Sequence, residues 1–120
     1  MKGRCRIKRA DCRLIDLDEY VDNITGHGDK PPHADYALIC GDRVIIVEEV
    51  DGKAELRDGK KVEVSEGLLR KRGEITSAMC VHKVVHARGG ADPMVARVFR
   101  SAKIFLVTCC DKLSEVVQGK

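Results

Sequence analysis

The chain has 120 residues, of which 43% are hydrophobic and 34% are charged, and its formal net charge at pH 7 is +3. This balance is typical of a globular protein and excludes an intrinsically disordered chain, and no apolar run approaches the roughly 20 residues of a membrane span. The length predicts one domain over residues 1–120. Because the basic first residues lack the apolar core of a signal peptide, we expect a cytoplasmic protein.

Cysteine is frequent in this chain, although the rest of the sequence predicts an intracellular protein. Asn and Gln occur once each, a depletion typical of thermophiles, some of whose intracellular proteins carry disulfides. No CxxC pair is present, which argues against a zinc ribbon or a dithiol redox motif. We therefore expect at least one disulfide, with the pairing left open, among Cys5, Cys12, Cys40, Cys80, Cys109 and Cys110.

The first half of the chain predicts one helix followed by a β-hairpin. Asp11 is placed to cap a helix whose apolar stripe is formed by Leu14, Leu17, Val21 and Ile24. A loop rich in glycine and proline then leads into two apolar runs, YALIC at 36–40 and RVIIVEEV at 43–50. Gly41 and Asp42 lie between these runs and suit a tight turn, so we expect two antiparallel strands.

The residues after this hairpin predict a second hairpin and a long helix. ELRDGKKVEV, at 55–64, is interpreted as two short strands that turn at Asp58 and Gly59. Residues 66–87 have apolar positions at helical spacing, although Gly73 interrupts the pattern.

The last third predicts a short helix, a strand and a final helix. Asp92 and Pro93 suit the cap and the first turn of a helix, an apolar strand follows at 103–109, and a helical pattern covers 111–118. The whole order predicts an α/β fold, a single domain in which helices flank a mixed central β-sheet.

The predicted hairpin brings acidic residues together at its open end. A turn at Gly41 and Asp42 pairs Cys40 with Arg43 and Asp35 with Glu48. Directly opposed β-carbons lie about 4.5 to 5.5 Å apart, so two like charges there are destabilising unless a cation or a proton joins them. Strand alternation places Glu49 on the other face of the hairpin.

This stretch resembles the PD-(D/E)XK nuclease superfamily, above all the core of the archaeal Holliday-junction resolvases. In that family an Asp opens one strand, and on the next strand an acidic residue precedes a lysine by two positions. Here Ala34 and Asp35 stand for the PD, Glu48 stands for the acidic residue, and Val50 stands where the family has lysine. The predicted order of elements over residues 11–110 is similar to the family's core, so the resemblance implies a restriction-endonuclease-like fold.

The resemblance also implies an activity, a metal and a set of site residues. Asp35 and Glu48 would hold magnesium, which would polarise a phosphate and activate water for cleavage of a nucleic-acid phosphodiester. Lys53 or Lys83 would substitute for the missing lysine. Glu19, on the first predicted helix, would supply a further carboxylate, as helix-borne acids do in some related nucleases.

Basic residues cluster in two places that suit the phosphate backbone of a nucleic acid. One cluster lies at residues 2–13, and the other is formed by Arg70, Lys71 and Arg72. Aromatic residues make up 3% of the chain and Trp is absent, so base stacking is expected to be weak and contact with a duplex backbone is favoured.

Two alternatives to a nuclease stay open. The replacement of lysine by Val50 is compatible with a non-catalytic nucleic-acid-binding or protein-assembly module on the same fold, because a fold alone does not specify an activity. The apolar edges of the predicted sheet are compatible with a protein whose main role is subunit contact, as a homodimer.

Two further motifs are interpreted as structural. His82 and His86 are four residues apart on the predicted helix, with Cys80 close by, but the Glu of the metalloprotease motif is missing. Cys109 and Cys110 end an apolar strand and are expected to pack or to form a structural disulfide.

Overall fold

The computed structural model describes residue 5, residues 11–26 and residues 28–119. In chain order its elements are β1 (Cys12–Asp16), α1 (Leu17–Thr25), β2 (Tyr36–Cys40), β3 (Arg43–Val50), α2 (Leu56–Lys71), β4 (Cys80–Ala87), α3 (Pro93–Ser101), β5 (Ile104–Val107) and α4 (Cys110–Gln118). The strands form one sheet in the order β1-β2-β3-β4-β5. The pairs β1–β2 and β2–β3 are antiparallel, whereas β3, β4 and β5 run parallel to one another. The predicted α/β domain with a mixed sheet and flanking helices is therefore confirmed.

Helices cover both faces of the central strands. On one face, Val44 and Ile46 of β3 belong to a core cluster with residues of α2 and α3. On the other face, Ile45 and Val47 belong to a second cluster with residues of α4. Strands that are buried on both faces are expected to be apolar throughout, as RVIIV is. No helix within the described residues has both the length and the apolar character needed to span a membrane.

The β2–β3 hairpin forms in the predicted register. Cys40 pairs with Arg43 and Tyr36 pairs with Val47. Gly41 occupies the turn with φ of +66°, a left-handed conformation that glycine adopts without the steric cost of a β-carbon. The predicted separation of the two faces is therefore correct along the whole paired part of the hairpin.

The prediction of a second hairpin at 55–64 is wrong, because this segment belongs to α2. Glu55 and Asp58 form a reciprocal capping box, in which each side chain accepts a hydrogen bond from the other residue's backbone N–H. Gly59 lies inside the helix rather than in a turn, and its Cα faces the ring of Phe99 on α3. The Asp-Gly pair therefore serves a helix start and a close helix–helix contact.

Two other boundaries also differ from the sequence-based expectation. Residues 80–87 form the parallel strand β4 instead of the end of a helix, in keeping with the β-branched valines in this segment. Residues 12–16 form β1, so the first helix begins later and is capped by Asp16, whose side chain accepts hydrogen bonds from the backbone N–H groups of Asp18 and Glu19. The short helix after Asp92, the strand β5 and the last helix α4 agree with prediction.

The expected disulfide is confirmed, and a second one accompanies it. Cys12 and Cys40, which are paired residues of β1 and β2, form one bridge with a Cα–Cα distance of 4.2 Å. Cys5 and Cys110 form the other, with a Cα–Cα distance of 5.5 Å and a sequence separation of 105 residues. Within the described residues, Cys80 and Cys109 remain free thiols, and both are exposed.

Gly59→Ala tests the contact between α2 and α3. A β-carbon at this position would lie 2.6 Å from Cε1 of Phe99, so we expect the free energy of unfolding to fall by about 1 to 3 kcal/mol in urea denaturation. Gly67→Ala, in the same helix, is the matched control because a β-carbon there meets nothing within 4 Å. This control is expected to raise stability by about 0.5 to 1 kcal/mol. Equal effects of the two substitutions would contradict the packing.

Candidate metal centre

Three carboxylates are buried at the open end of the β2–β3 hairpin. Asp35 precedes β2, and Glu48 and Glu49 lie near the end of β3. Their relative exposures are 6%, 4% and 8%. A buried charge is costly unless it is paired, hydrogen-bonded or bound to a metal, so the partners of each carboxylate indicate what it can do.

Asp35 is fixed by the backbone on both sides of it. Its N–H donates to the carbonyl of Val47 at 3.1 Å, and its carbonyl accepts from the N–H of Leu17 at 3.1 Å. Its Oδ2 accepts a hydrogen bond of 2.7 Å from the backbone N–H of Glu49. The carboxylate is therefore held against the end of β3, close to Glu48.

Glu48 lies on the face of the sheet that α2 covers. The Nζ of Lys61 lies 3.1 Å from Glu48 Oε2, and the lysine side chain is 33% exposed. Among the described residues, no group hydrogen-bonds to the buried Oε1. Burial, followed by the negative charge of Asp35, raises the pKa of Glu48 to about 7, and the neighbouring Lys61 opposes this rise. Glu48 is thus a buried carboxylate in which Oε2 is bound to Lys61, while Oε1 accepts no hydrogen bond within the described residues.

Glu49 faces the opposite side of the sheet, as strand alternation predicts, and its carboxylate is satisfied there. The hydroxyl of Tyr36 donates to Oε2 at 3.1 Å. The Nδ1–H of His86 donates to Oε1 at 2.8 Å. Burial and then the charge of Glu49 raise the pKa of Tyr36. Glu49 is therefore not a candidate for the same ion as Glu48.

Lys61 was not singled out by sequence reasoning, because its segment was interpreted as a hairpin. The capping box at Glu55 starts α2 in a phase that turns Lys61 toward Glu48. One turn further along α2, Ser65 links the helix to Ala34, the residue before Asp35. Ser65 Oγ donates to the carbonyl of Lys61 at 2.8 Å and accepts from the N–H of Ala34 at 2.8 Å.

Neither lysine named from the sequence forms an ion pair with Glu48 within the described residues. Lys53 is exposed, and its Nζ lies 2.8 Å from Oδ1 of Asp92. Hydrogen bonding to this carboxylate raises the pKa of Lys53. Lys83 lies on β4 rather than on a helix, where its Nζ is 3.7 Å from Glu63 and 3.6 Å from Glu66.

The remaining predicted site residues lie elsewhere on the surface. Glu19 is an exposed residue of α1 that lines a shallow cavity of about 290 Å³ with Arg13 and Asn23. Arg70, Lys71 and Arg72 are exposed at the end of α2, where Arg70 binds Glu66 through Nε and Nη2 at 3.1 and 2.9 Å. Most of the basic cluster at residues 2–13 lies outside the described residues.

Asp35 and Glu48 carry carboxylate oxygens, the type of ligand that a hard divalent cation such as magnesium prefers, and a magnesium ion at this place stays a prediction. Magnesium is commonly held by one or two carboxylates while water and substrate phosphates complete its coordination. Oε1 of Glu48, which accepts no hydrogen bond within the described residues, is the type of donor such an ion needs. In the part of the chain that the structure describes, the cluster of three possible metal ligands within 4.8 Å of one another is Cys5, His86 and Cys110, and it includes neither carboxylate.

Glu48→Gln tests the electrostatics of this centre in a chelator-containing buffer. The pKa of Glu48 is raised from 4.5 to about 7 in the folded protein, so the folded state retains this proton over a range in which the unfolded state has lost it. Wild-type stability is therefore reduced progressively from pH 4.5 to 7, by about 3 kcal/mol in all, and Glu48→Gln removes this loss.

The measurement is urea denaturation of both proteins across this pH range. We expect the stability difference between Glu48→Gln and wild type to grow in favour of the variant as the pH rises. Glu115→Gln, on the exposed face of α4, is the matched control and should show no such growth. A stability difference for Glu48→Gln that stays constant across this pH range would contradict the raised pKa of Glu48.

No protein-family model, curated protein or solved structure matches this chain. The resemblance to PD-(D/E)XK nucleases therefore stays a prediction that rests on residues 34–50 and on the order of elements.

Proposed function

We propose that this protein is a metal-dependent nuclease that hydrolyses nucleic-acid phosphodiesters on a restriction-endonuclease-like core. The observation that carries the proposal is the Glu48 side chain, which is buried beside Asp35, bonded to Lys61 through one oxygen and without a described partner at the other. A protein that needed only a stable core would gain nothing from this arrangement, because an uncompensated buried carboxylate oxygen is destabilising.

The order of elements supports the same proposal. A hairpin carries the acidic pair, and the parallel strands β3, β4 and β5 continue the sheet under α2 and α3. Asp35 and Glu48 lie at the end of β3 where the parallel strands also end, which is the edge of an α/β sheet where ligands commonly bind.

Asp35 and Glu48 would hold magnesium, which would supply a Lewis acid for the scissile phosphate. The backbone N–H of Glu49 orients Asp35, so that this carboxylate does not have to be ordered when an ion arrives. Burial lowers the local dielectric around both carboxylates and so strengthens their attraction for a cation.

Lys61 takes the role that the resemblance assigns to the lysine missing at Val50. Its Nζ contacts Glu48, whereas Lys53 and Lys83 are bound to other carboxylates. A compact ammonium group beside the acidic pair stabilises the ionised form of Glu48 and is placed to balance negative charge that develops on a phosphate.

The exposed cations at the end of α2 suit the substrate's backbone. Arg70, Lys71 and Arg72 follow one another on the surface, and of these Arg70 is held by Glu66. Contacts to phosphate are indifferent to sequence and weaken with salt. The substrate class is therefore a nucleic acid recognised through its backbone.

The first test is cleavage of labelled duplex, branched and single-stranded DNA and RNA with magnesium or manganese. Asp35→Asn and Glu48→Gln are expected to abolish metal-dependent cleavage, because each removes a ligand charge. Lys61→Met is expected to lower the single-turnover rate by about a hundredfold or more while nucleic-acid affinity changes little.

Lys53→Ala and Lys83→Met are the matched controls for Lys61, since both remove an ion-paired lysine that does not contact Glu48. They are expected to cleave at rates close to wild type. Loss of activity in either control with a fully active Lys61→Met would contradict the role of Lys61. Full activity of Glu48→Gln would contradict the whole centre.

The second test is the salt dependence of nucleic-acid binding. Neutralising Arg70, Lys71 and Arg72 together is expected to weaken binding uniformly across sequences. The slope of log K against log salt should fall by about 0.7 to 0.9 for each phosphate that these side chains neutralise in the wild-type complex. Arg57→Ala, at the other end of α2 and bound to Glu55, is the control.

The two tests together separate the proposal from its alternatives. Salt-sensitive binding without cleavage would indicate a non-catalytic nucleic-acid-binding module. Absence of both activities in a stable homodimer would indicate a protein whose role is subunit contact.

A further inference from the structure

A cluster of sulfur and imidazole ligands lies on the face of the sheet opposite Glu48. The Cys5–Cys110 disulfide lies against His86 of β4, with Cys5 Sγ 3.8 Å from His86 Nδ1. The two sulfurs and one ring nitrogen of His86 all lie within 4.8 Å of one another. The cluster brings together Cys5, which precedes β1 in the chain, His86 on β4 and Cys110 at the start of α4.

His86 is held in the manner of a metal-binding histidine. Its side chain is 2% exposed, and Nδ1–H donates to Glu49 at 2.8 Å. Its Nε2 has no hydrogen-bond partner among the described residues. Histidines that bind metals usually donate one ring N–H to a carboxylate or carbonyl and keep the other nitrogen for the ion. The Glu49 hydrogen bond therefore fixes the ring and leaves the lone pair on Nε2. The 3.8 Å contact of Cys5 Sγ is to Nδ1, so the sulfurs must move from the Nδ1 side of the ring toward Nε2 before all three atoms can share one ion.

We propose that reduction of the Cys5–Cys110 disulfide converts this cluster into a binding site for a soft divalent cation of the zinc class, with Cys5 Sγ, Cys110 Sγ and the His86 imidazole as ligands. Thiolate and imidazole ligands select zinc-like ions, whereas magnesium prefers oxygen. The site is separate from the Asp35 and Glu48 centre, and it does not depend on the proposed nuclease activity.

A tetrahedral ion requires a rearrangement of the cysteine side chains. Zinc bonds of about 2.3 Å to sulfur and 2.0 to 2.1 Å to nitrogen imply roughly 3.6 Å between a sulfur and a nitrogen ligand and roughly 3.8 Å between two sulfur ligands. The cysteine sulfurs must separate by about 2 Å from their bonded distance. With the two Cα atoms 5.5 Å apart, rotation of the side chains is sufficient for this.

A neighbouring cavity provides a fourth ligand. This cavity has a volume of about 330 Å³ and is lined by His86, Arg88, Thr108, Cys109 and Cys110. It admits a water molecule, and the exposed thiol of Cys109 lies on its wall. Two thiolates and the carboxylate of Glu49 outweigh the positive charge of Arg88 at such a site, so the local charge favours a divalent cation.

A phosphine or a dithiol can supply the two electrons that reduce the Cys5–Cys110 disulfide. A phosphine gives two electrons to the S–S bond and takes the oxygen of one water to become a phosphine oxide, while the two protons of that water go to the sulfurs. Binding of Zn²⁺ then releases both thiol protons, because the ligands are thiolates.

The other disulfide provides an internal comparison. Cys12 and Cys40 link β1 to β2, and within the described residues they belong to no group of three metal ligands. Reduction of this bridge is therefore expected to free two thiols without creating a comparable site.

The test uses Co²⁺ as the probe, in the full chain carrying Asp35→Asn and Glu48→Gln so that the carboxylate centre is inactive. After reduction with a phosphine, titration is expected to show one Co²⁺ per chain with thiolate-to-cobalt charge-transfer absorption. Before reduction, this absorption should be absent. Failure of the nuclease proposal would leave this result unchanged, because both carboxylates have been removed.

Variants assign the ligands. Cys110→Ser and His86→Gln are expected to remove the charge-transfer band or to weaken binding by tenfold or more, and Glu49→Gln by about 10-fold to 100-fold. A variant with both Cys12→Ser and Cys40→Ser should bind Co²⁺ as the parent does. A band that persists in Cys110→Ser, or that requires Cys12 and Cys40, would overturn the proposal.

A second measurement avoids variants that fail to fold. In the reduced wild-type chain, Zn²⁺ is expected to protect Cys5 and Cys110 from alkylation, as read by mass spectrometry, while Cys12, Cys40 and Cys80 react at the rates seen without the ion. Equal alkylation of Cys5 and Cys110 with and without Zn²⁺ would overturn the site.

Discussion

Burial of carboxylates at the end of the β2–β3 hairpin is the constraint around which the central part of this molecule is arranged. The hairpin is covered on both faces, so its acidic residues cannot turn to bulk water and must find partners inside the protein. Asp35 accepts a hydrogen bond from a backbone N–H of β3, and Glu48 accepts one from Lys61 of α2. Glu49 accepts hydrogen bonds from Tyr36 and His86. Of these partners, Lys61 links α2 to the hairpin and His86 links β4 to it.

Strand alternation separates two kinds of chemistry. Glu48 and Glu49 are adjacent in sequence, yet one faces α2 and the other faces α4. The first face offers carboxylate oxygens and an ammonium group, which suit a hard cation and a phosphate. The second offers the imidazole of His86 and, once the Cys5–Cys110 disulfide is reduced, two thiolates, a set that would suit a soft cation.

Local signals predicted part of this fold. Alternation in YALIC and RVIIVEEV, together with Gly41 at the turn, was sufficient to assign the hairpin and its faces. Asp92 followed by Pro93 identified the start of α3. These features depend on residues that are neighbours in the chain or across a tight turn, which is why they can be read from sequence.

The parts that were missed depend on distant contacts. Asp58 and Gly59 have the composition of a turn, but capping by Glu55 and the packing of Phe99 over Gly59 make them helical. Lys61 can be recognised as a site residue only when the position of α2 against the sheet is known. The Cys5–Cys110 bridge joins residues 105 positions apart, a pairing that no local pattern specifies.

The central claim is that Asp35 and Glu48 hold a metal ion, and anomalous diffraction from a crystal soaked in Mn²⁺ tests it most directly. The account predicts an anomalous peak at roughly 2.0 to 2.3 Å from Glu48 Oε1 and from an oxygen of Asp35, with Lys61 still beside Oε2. A map without a peak at this position, in which Glu48 Oε1 accepts a hydrogen bond from the protein instead, would contradict it.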